Sequence, residues 1–441
     1  MEKEGQCGSN KVSIPISQEE SLQDKLIQVY DRFPPGLRKL LFLIVKPAFI
    51  CLVRIRSIFS GARKPLHLLE GVEKGGSGEL KVLIFGGDMA AAYLSSVIFS
   101  GDPKSTYLGK SLLWKLRSKV RVITPNPDLI FTETDRFYAA LLKRLKFALI
   151  PKWILLDLDI SKSLPKIMKT IKNRSLDNNL RRMRAQQYTY EITQDQERFD
   201  LFYNHMYVPY ATKRFGNASW VLGYHNLKRL LRKGQLLLVI QDDIPLTGAL
   251  LIERENSLFS HSLGVRDGNI VYVEQGAITA SYFFTIQWAK KKGYERIDFG
   301  YCRPFLRDGV FIYKKRWGMS VRNYKRSMGM GVFGLKINRF SKGVRGFLGE
   351  NPFIFIDKNK IKGLIVEDQN QPLTAQEVNM LKRIHHINGL DEMIVVAPHG
   401  FSEEAREMAR TQYPRLLRLV DVDVDVFFEQ LSNPKNLELE F

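Results

Sequence analysis

Leu236–Glu274 reads LLLVIQDDIPLTGALLIERENSLFSHSLGVRDGNIVYVE, and its punctuation decides the fold. Three apolar runs of strand length, Leu236–Ile240, Leu246–Ile252 and Leu258–Val265, are separated by Asp242, Asp243, Pro245, Asn256, Asp267, Gly268 and Asn269. Turn formers between such runs predict a meander of antiparallel strands. A fourth run, Ile270–Glu274, is expected to add one more strand. At Gly276 the period changes, and Ala277, Ser281, Phe284 and Trp288 recur at helical spacing on one face. This helix carries its own stop signals. Lys290, Lys291 and Lys292 meet the negative end of the dipole, and Gly293 can take the left-handed cap. Arg296–Gly300 then reads as a fifth strand.

A meander, a helix and a returning strand let a sheet edge open around a helix N-terminus. Such an N-terminus attracts anions, because its first N–H groups lack intrahelical partners. Gln275, Gly276, Ala277 and Ile278 are therefore the candidate residues for binding a phosphate or pyrophosphate, with close packing of helix on strand as the other reading of Gly276.

Farther along stand QWAKKKGYERIDFG and FIYKKRWG, which supply Trp288, Ala289, Gly293, Tyr294, Asp298, Phe299 and Gly300, then Tyr313, Lys314, Trp317 and Gly318. Together with FYNHMYVPYATKRFG at Phe202–Gly216, these runs resemble the second half of a GNAT-type acyltransferase domain. The nearest likeness is to the branch of the Fem peptidoglycan-bridge aminoacyltransferases and polysaccharide-associated acetyltransferases. The resemblance spans roughly residues 155–335. It implies an α/β (α+β) fold: a GNAT-like mixed, largely antiparallel sheet with flanking helices, plus additional small α/β segments. It also implies acyl-CoA, acetyl-CoA above all, as co-substrate without a metal, and a sugar, polysaccharide or cell-envelope precursor as acceptor. The Q/R-x-x-G-x-G/A loop of small GNAT enzymes is missing here, and Fem relatives take their acyl group from aminoacyl-tRNA, so that donor stays open as the alternative.

Acyl transfer needs a bound donor, a deprotonated nucleophile and donors for the developing oxyanion. The resemblance puts the Fem family's lysine at Lys314, the first choice for the oxyanion. Candidate bases are His261 in the third strand, Asp298 ending the fifth and Glu274 ending the fourth. Tyr207 and Tyr210 flank Pro209, where a helix is expected to break and turn both hydroxyls toward a cleft. Tyr224, Arg303, Tyr313 and Trp317 complete the candidate substrate-binding residues. Direct attack is usual in the GNAT mechanism, so Cys302 is not required as a nucleophile.

The chain of 441 residues exceeds one ordinary domain, and its 67 Lys and Arg against 46 Asp and Glu give a formal charge of +21. That balance favours anionic partners: membrane lipid, nucleic acid or nucleotide-linked substrates. Cys7, Cys51 and Cys302 lie far apart without metal spacing, which argues for a reducing, cytoplasmic compartment and against a disulfide frame or zinc site. Residues 1–78 are expected to form a polar leader followed by a basic apolar segment. In GLRKLLFLIVKPAFICLVRIRSIF, Gly36–Phe59, the apolar runs are too short and broken to span a bilayer, and their basic flanks suit the surface of an anionic leaflet. The protein is accordingly expected at the inner face of the membrane.

Residues 79–150 alternate strand, turn and helix. Leu80–Phe85 precedes Gly86, Gly87 and Asp88, and Arg121–Thr124 and Leu129–Thr132 read as short strands. The Gly86–Gly87 turn matches neither G-x-G-x-x-G nor a P-loop and reads as packing. This segment is the candidate for a reduced first GNAT-like half. Trp153–Ile160 opens the acyltransferase domain, 151–335, and Arg181, Arg182 and Arg184 form a dense basic turn that reads first as a solvated amphipathic helix. Residues 350–441 read as a small acidic α/β domain appended as a separate unit. From residue 351 onward there are ten Lys or Arg against fifteen Asp or Glu. Non-catalytic lipid or RNA binding on such a scaffold is the reading from a different class.

Overall fold

The computed structural model describes residues 62–170, 174–219, 221–322 and 331–431. The expected membrane-surface segment Gly36–Phe59 lies outside them. In chain order the first strands are β1 (Arg63–Val72), β2 (Glu79–Phe85), β3 (Lys104–Leu112), β4 (Leu129–Thr134) and β5 (Ala148–Pro151). There follow β6 (Ile154–Asp159), β7 (Thr189–Thr193), β8 (Gly234–Gln241), β9 (Ile244–Arg254), β10 (Ser257–Val265), β11 (Arg296–Cys302) and β12 (Ser320–Val321). The last are β13 (Val332–Ile337), β14 (Phe353–Asp357), β15 (Lys360–Val366), β16 (Glu392–Val396) and β17 (Leu417–Val420).

They make three sheets: a six-stranded β3-β1-β2-β4-β13-β5, a seven-stranded β12-β6-β11-β10-β9-β8-β7 and a four-stranded β14-β15-β16-β17. The fold is mixed α/β with largely antiparallel pairing, and the parallel pairs are β2 with β4, β10 with β11, β15 with β16 and β16 with β17.

The meander β8-β9-β10 forms where the apolar runs and their turn residues place it. Asp242 and Asp243, both at positive φ, make the tight first turn. The helix Ala277–Lys291 packs on this sheet through a core that joins Ala277, Ala280, Ile286 and Trp288 to Val239, Leu251, Leu258 and Ile297.

Ile270–Glu274 is not a strand. It is a short helix whose start is capped by Asn269, the side chain accepting the Val271 N–H at 3.0 Å. Among the described residues no strand pairs with it, and Ile270 and Val271 remain exposed. Arg121–Thr124 is likewise no strand but the end of the helix Leu116–Arg121 and the turn after it. Nor does Pro209 break its helix: a π-helical turn, Tyr203–Tyr207, runs directly into the helix Val208–Phe215. The wider π-helical turn just ahead of it lets the helix continue through the proline.

Strand membership cuts across the sequence order. β1 precedes residue 79 and β13 follows the second sheet, yet both pair inside the first sheet, β13 with β4 and β5. The acidic C-terminal segment is no detached unit. Phe353, Phe355, Val396, Phe427 and Phe428 share one core with Val82, Phe131, Phe333 and Phe347 of the first sheet and its helices, and Ile354, Ile361 and Leu390 enter the core of the second. An aromatic-rich strand with both faces covered has to draw neighbours from more than one layer. Among the described residues no helix is long and apolar enough to cross a membrane.

Candidate active site

β10 and β11 run parallel for only three residue pairs, Ser257 with Arg296, Leu258 with Ile297 and Phe259 with Asp298. Beyond that level the two strands part. Both carry an irregularity at the point of divergence. On β10 the register against β9 shifts between Ser260 and Ser262, so His261 has no partner in the β9–β10 register. On β11 the register against β6 shifts between Asp298 and Tyr301, and Gly300 has φ +75°. A Cβ on Gly300 would stand 3.3 Å from the Ser260 carbonyl oxygen, so the fork closes on a residue with no side chain. β-Bulges of this kind bend a strand and re-aim its side chains.

Lys314 lies under the fork, almost wholly buried. Its Nζ donates to the carbonyl oxygens of Gly300 at 3.1 Å and Tyr301 at 2.9 Å, and burial lowers its pKa. Two of its three N–H bonds thus hold the β11 bulge, which makes the lysine first of all a strut. Asp298 is also buried: one oxygen accepts the Gly300 N–H at 2.9 Å, and the other pairs with Arg254 at 3.2 Å. Arg254 covers the Phe259 ring at 4.2 Å. Across the strand pair Asp157 stands opposite Asp298, with Arg322 at 2.5 Å and Arg296 at 3.4 Å. Burial, with Asp298 adding to it, raises Asp157 to about 6 against the pull of Arg296.

His261 sits in the β10 bulge, edge-on to Phe259, with Nδ1 2.7 Å from the Ser262 hydroxyl. Burial, and then the charge of Arg254, push its pKa down to about 4, so the imidazole is neutral at physiological pH. Tyr207, on the helix facing β10, accepts the Leu222 N–H at 3.0 Å and neighbours Ser262.

Beside the fork, helix residues pack on Phe299 to form an aromatic wall. Tyr282 stacks on Phe299 with centroids 4.6 Å apart and on Trp317 at 5.6 Å, and Tyr313 meets it edge-on at 5.2 Å. The Tyr313 hydroxyl is 3.2 Å from Thr279, and burial pushes its pKa up to about 12. Tyr210 accepts a hydrogen bond from Arg214 at 2.9 Å, and both groups bear electrostatically on Tyr313.

The fold therefore gathers Lys314, Asp298 and His261 at the fork, with Tyr207, Tyr210, Tyr313 and Trp317 around it. It leaves out three others. Glu274 is exposed on the short helix, because the expected strand is not there. Tyr224 opens the helix Tyr224–Leu231, its hydroxyl bonded to Asp200 and Gln196. Arg303 is buried between the rings of Tyr93 and Trp153, 4.1 and 3.8 Å from their centroids, at the junction of the first and second sheets. Cys302 is buried and its thiol is pushed up to about 12, so it is no nucleophile at neutral pH.

Gly276 has φ +93°, and a Cβ there would stand 3.1 Å from Met183 N and 3.3 Å from Asn179 O. The glycine lets two helices touch, while Ala277 and Ile278 are buried and Gln275 is half-buried. The helix Arg174–Ala185 that supplies this contact buries Leu176, Leu180 and Met183 and keeps Arg181, Arg182 and Arg184 exposed beside the N-terminus of Ala277–Lys291. At Gly86–Gly87 the Gly87 N–H is taken by the Glu133 carboxylate at 2.9 Å, so that turn's donor already has an anion from the protein itself.

Sequence reasoning did not single out Asp157, Arg254 or Ser262. For Asp157 a signal existed, an acid amid the apolar residues of the strand ILLDLD. For Arg254 and Ser262 none did, since only the strand register brings them to Asp298 and His261.

No protein-family model and no curated protein matches the chain. Among solved structures it is similar to the crystal structure of FemX, with 14% identity over 62% of this chain and 84% of that one and a TM-score of 0.33. It is similar also to L-PGS from Bacillus licheniformis, 11% identical over 62% of this chain and 85% of that one, TM-score 0.31. A third is a GCN5-related N-acetyltransferase from Sphaerobacter thermophilus, 12% identical over 48% of this chain and 61% of that one, TM-score 0.27.

Proposed function

We propose that the protein is an acyltransferase whose donor lies in the fork between β10 and β11, and that it moves an acyl group, acetyl first, from acyl-CoA to an amine or hydroxyl of a sugar, polysaccharide or cell-envelope precursor. The observation that carries this reading is the parting of two parallel strands after three residue pairs. Parted strands offer backbone donors and acceptors to an extended, amide-bearing ligand, as an exposed sheet edge does to a peptide. The aromatic wall of Tyr282, Tyr313 and Trp317 excludes water from the carbonyl, which strengthens every electrostatic contact there.

His261 is the base in this reading. With Nδ1–H donated to the Ser262 hydroxyl, the Nε2 lone pair is left to take the nucleophile's proton as the nucleophile attacks the acyl carbon. The carbonyl oxygen gains negative charge beside the peptide of the β10 bulge. Collapse expels the donor's leaving group, which takes up the proton, and no covalent enzyme intermediate forms. Lys314 supports the geometry from beneath by holding Gly300 and Tyr301. The exposed arginines at 181, 182 and 184 suit the phosphates of the donor. They suit aminoacyl-tRNA equally, which makes that donor the second reading.

The test is calorimetric titration of CoA and acetyl-CoA into the purified protein at moderate salt, against a polyphosphate of the same charge. Saturable binding beyond the polyphosphate is expected. Absence of such binding, with saturable binding of charged tRNA, would replace CoA by tRNA as donor. Absence of both would leave a non-catalytic basic scaffold.

A further inference from the structure

On the outer side of the first sheet, away from the fork, lies a cavity of about 810 Å³. It is walled by six cations, Arg117, Arg121, Arg144, Lys146, Lys336 and Arg339, contributed by the helices Leu116–Arg121 and Ala139–Arg144, the turn after the latter, and β13 with the residues just past it. Among the described residues no carboxylate lines it. Arg339 pairs with buried Asp128 at 2.7 Å, while among the described residues no carboxylate lies within ion-pair distance of Arg117, Arg121, Arg144 or Lys146. The floor is apolar, made of Leu116, Ile130 and Phe147. Burial, and after it the charges of Arg117 and Lys146, lower the pKa of Lys336, which is the mark of cations crowded without an acid between them.

Uncompensated positive charge around a concave apolar floor calls for a ligand that carries phosphate at one end and hydrocarbon at the other. Two exposed apolar side chains flanking one of its helices point to where that ligand resides. Trp114 and Val122 bracket the helix Leu116–Arg121 and are 55% and 77% exposed. Tryptophan beside basic residues is the composition of a membrane–water interface, where the ring sits at headgroup level. Neither residue has a purpose in a site for a free phosphate. Six cations in a concave wall around such a floor, instead of a track of stacked aromatic rings, also speak against single-stranded nucleic acid.

We propose that this cavity is a headgroup site for an anionic phospholipid, through which the first-sheet unit docks on a membrane surface.

The test uses the full chain and vesicle flotation, with phosphatidylcholine alone and with phosphatidylglycerol added. Binding is expected only to the anionic vesicles. The variant Arg117→Gln/Arg144→Gln/Lys146→Gln changes three exposed residues, and a far-UV spectrum and melting temperature verify its fold. Each basic residue at an anionic surface is worth a factor of about five, so this variant should bind on the order of a hundredfold more weakly. The control variant Lys290→Gln/Lys291→Gln/Lys292→Gln removes the same charge elsewhere and should stay close to the parent. Equal losses in the two variants would overturn the proposal in favour of nonspecific attraction. Bromine-labelled lipid should quench the parent's fluorescence, and Trp114→Phe should abolish that quenching. Unchanged quenching in that variant would overturn the docking geometry. Saturable binding of inorganic pyrophosphate, or of a single-stranded RNA, that is lost in the first variant while no vesicles float with the parent would overturn the lipid in favour of that ligand.

Discussion

The Lys314 ammonium donates to the Gly300 carbonyl oxygen at 3.1 Å, on a residue whose φ of +75° turns β11 away from β10. A buried cation thus takes the place of the strand pairing that ends at Phe259 and Asp298. Lys314→Met removes that donor from one buried and one part-buried carbonyl. Each costs about 1–3 kcal/mol, so the variant should lose about 2–6 kcal/mol in urea unfolding. Turnover lost at unchanged stability would instead put Lys314 at the reacting carbonyl.

With His261 as the proposed base, the pH profile of the proposed transfer is expected to follow it. Its pKa is held at about 4 by burial and Arg254, so the base stays deprotonated well below the ordinary imidazole value. The acid limb of kcat is expected near pH 4, with no break at 6.5. His261→Gln should lower kcat by about 10²–10⁴-fold and leave KM little changed, as loss of a general base does. A limb at 6.5 in the parent enzyme would remove His261 from this role.

Stability should fall on acidification over a defined window. His261 and His385 are both pushed from 6.5 to about 4, in each case first by burial. A depressed folded pKa means that the native state binds fewer protons than the unfolded chain between those values. The contribution is complete above pH 6.5 and is lost as pH falls toward 4, by up to about 3 kcal/mol per histidine. His385 is buried with Nδ1 unpartnered, and His385→Phe should shrink the drop in urea midpoint between pH 7 and pH 5. An undiminished drop would assign the effect to other groups.

Two glycines are fixed by close approach. A Cβ on Gly264 would lie 2.5 Å from Met206 C and Tyr207 N, where the π-helical turn meets β10. Gly264→Ala should cost about 1–3 kcal/mol, because backbone has to move. It should also shift the Tyr207–Ser262–His261 side of the fork and so reduce turnover beyond what the loss of folded protein explains. Gly276→Ala meets both φ +93° and the Met183 backbone, and should cost about 1–2 kcal/mol in thermal melts. Gly276→Ala at parent stability would mean that the helix Arg174–Ala185 does not pack there.

Local signals carried the elements well. The alternation of apolar runs and turn residues in Leu236–Val265 produced three strands. Ile270–Glu274 failed because β-branched residues favour a strand only where a neighbour is available, and Asn269 instead starts a helix. Pro209 misled because the π-helical turn ahead of it lets the helix continue through the proline. Of the candidate site residues, the fold brings Lys314, Asp298, His261, Tyr313 and Trp317 to the fork, whereas Glu274 depended on the strand that does not exist.

By itself the sequence determined the strand meander, the helix after Gly276, the caps and the positive charge, since each arises from residues within a few positions of one another. Only the tertiary structure decided that β13 returns to the first sheet, that the acidic C-terminal segment shares its core, and that Asp157, Arg254 and Ser262 stand at the fork. It also decided that the six cations of the outer cavity converge, although they come from segments as far apart as Arg117 and Arg339. Pairing register and the burial of apolar faces bring such residues together, and both are long-range properties that no local window of sequence contains.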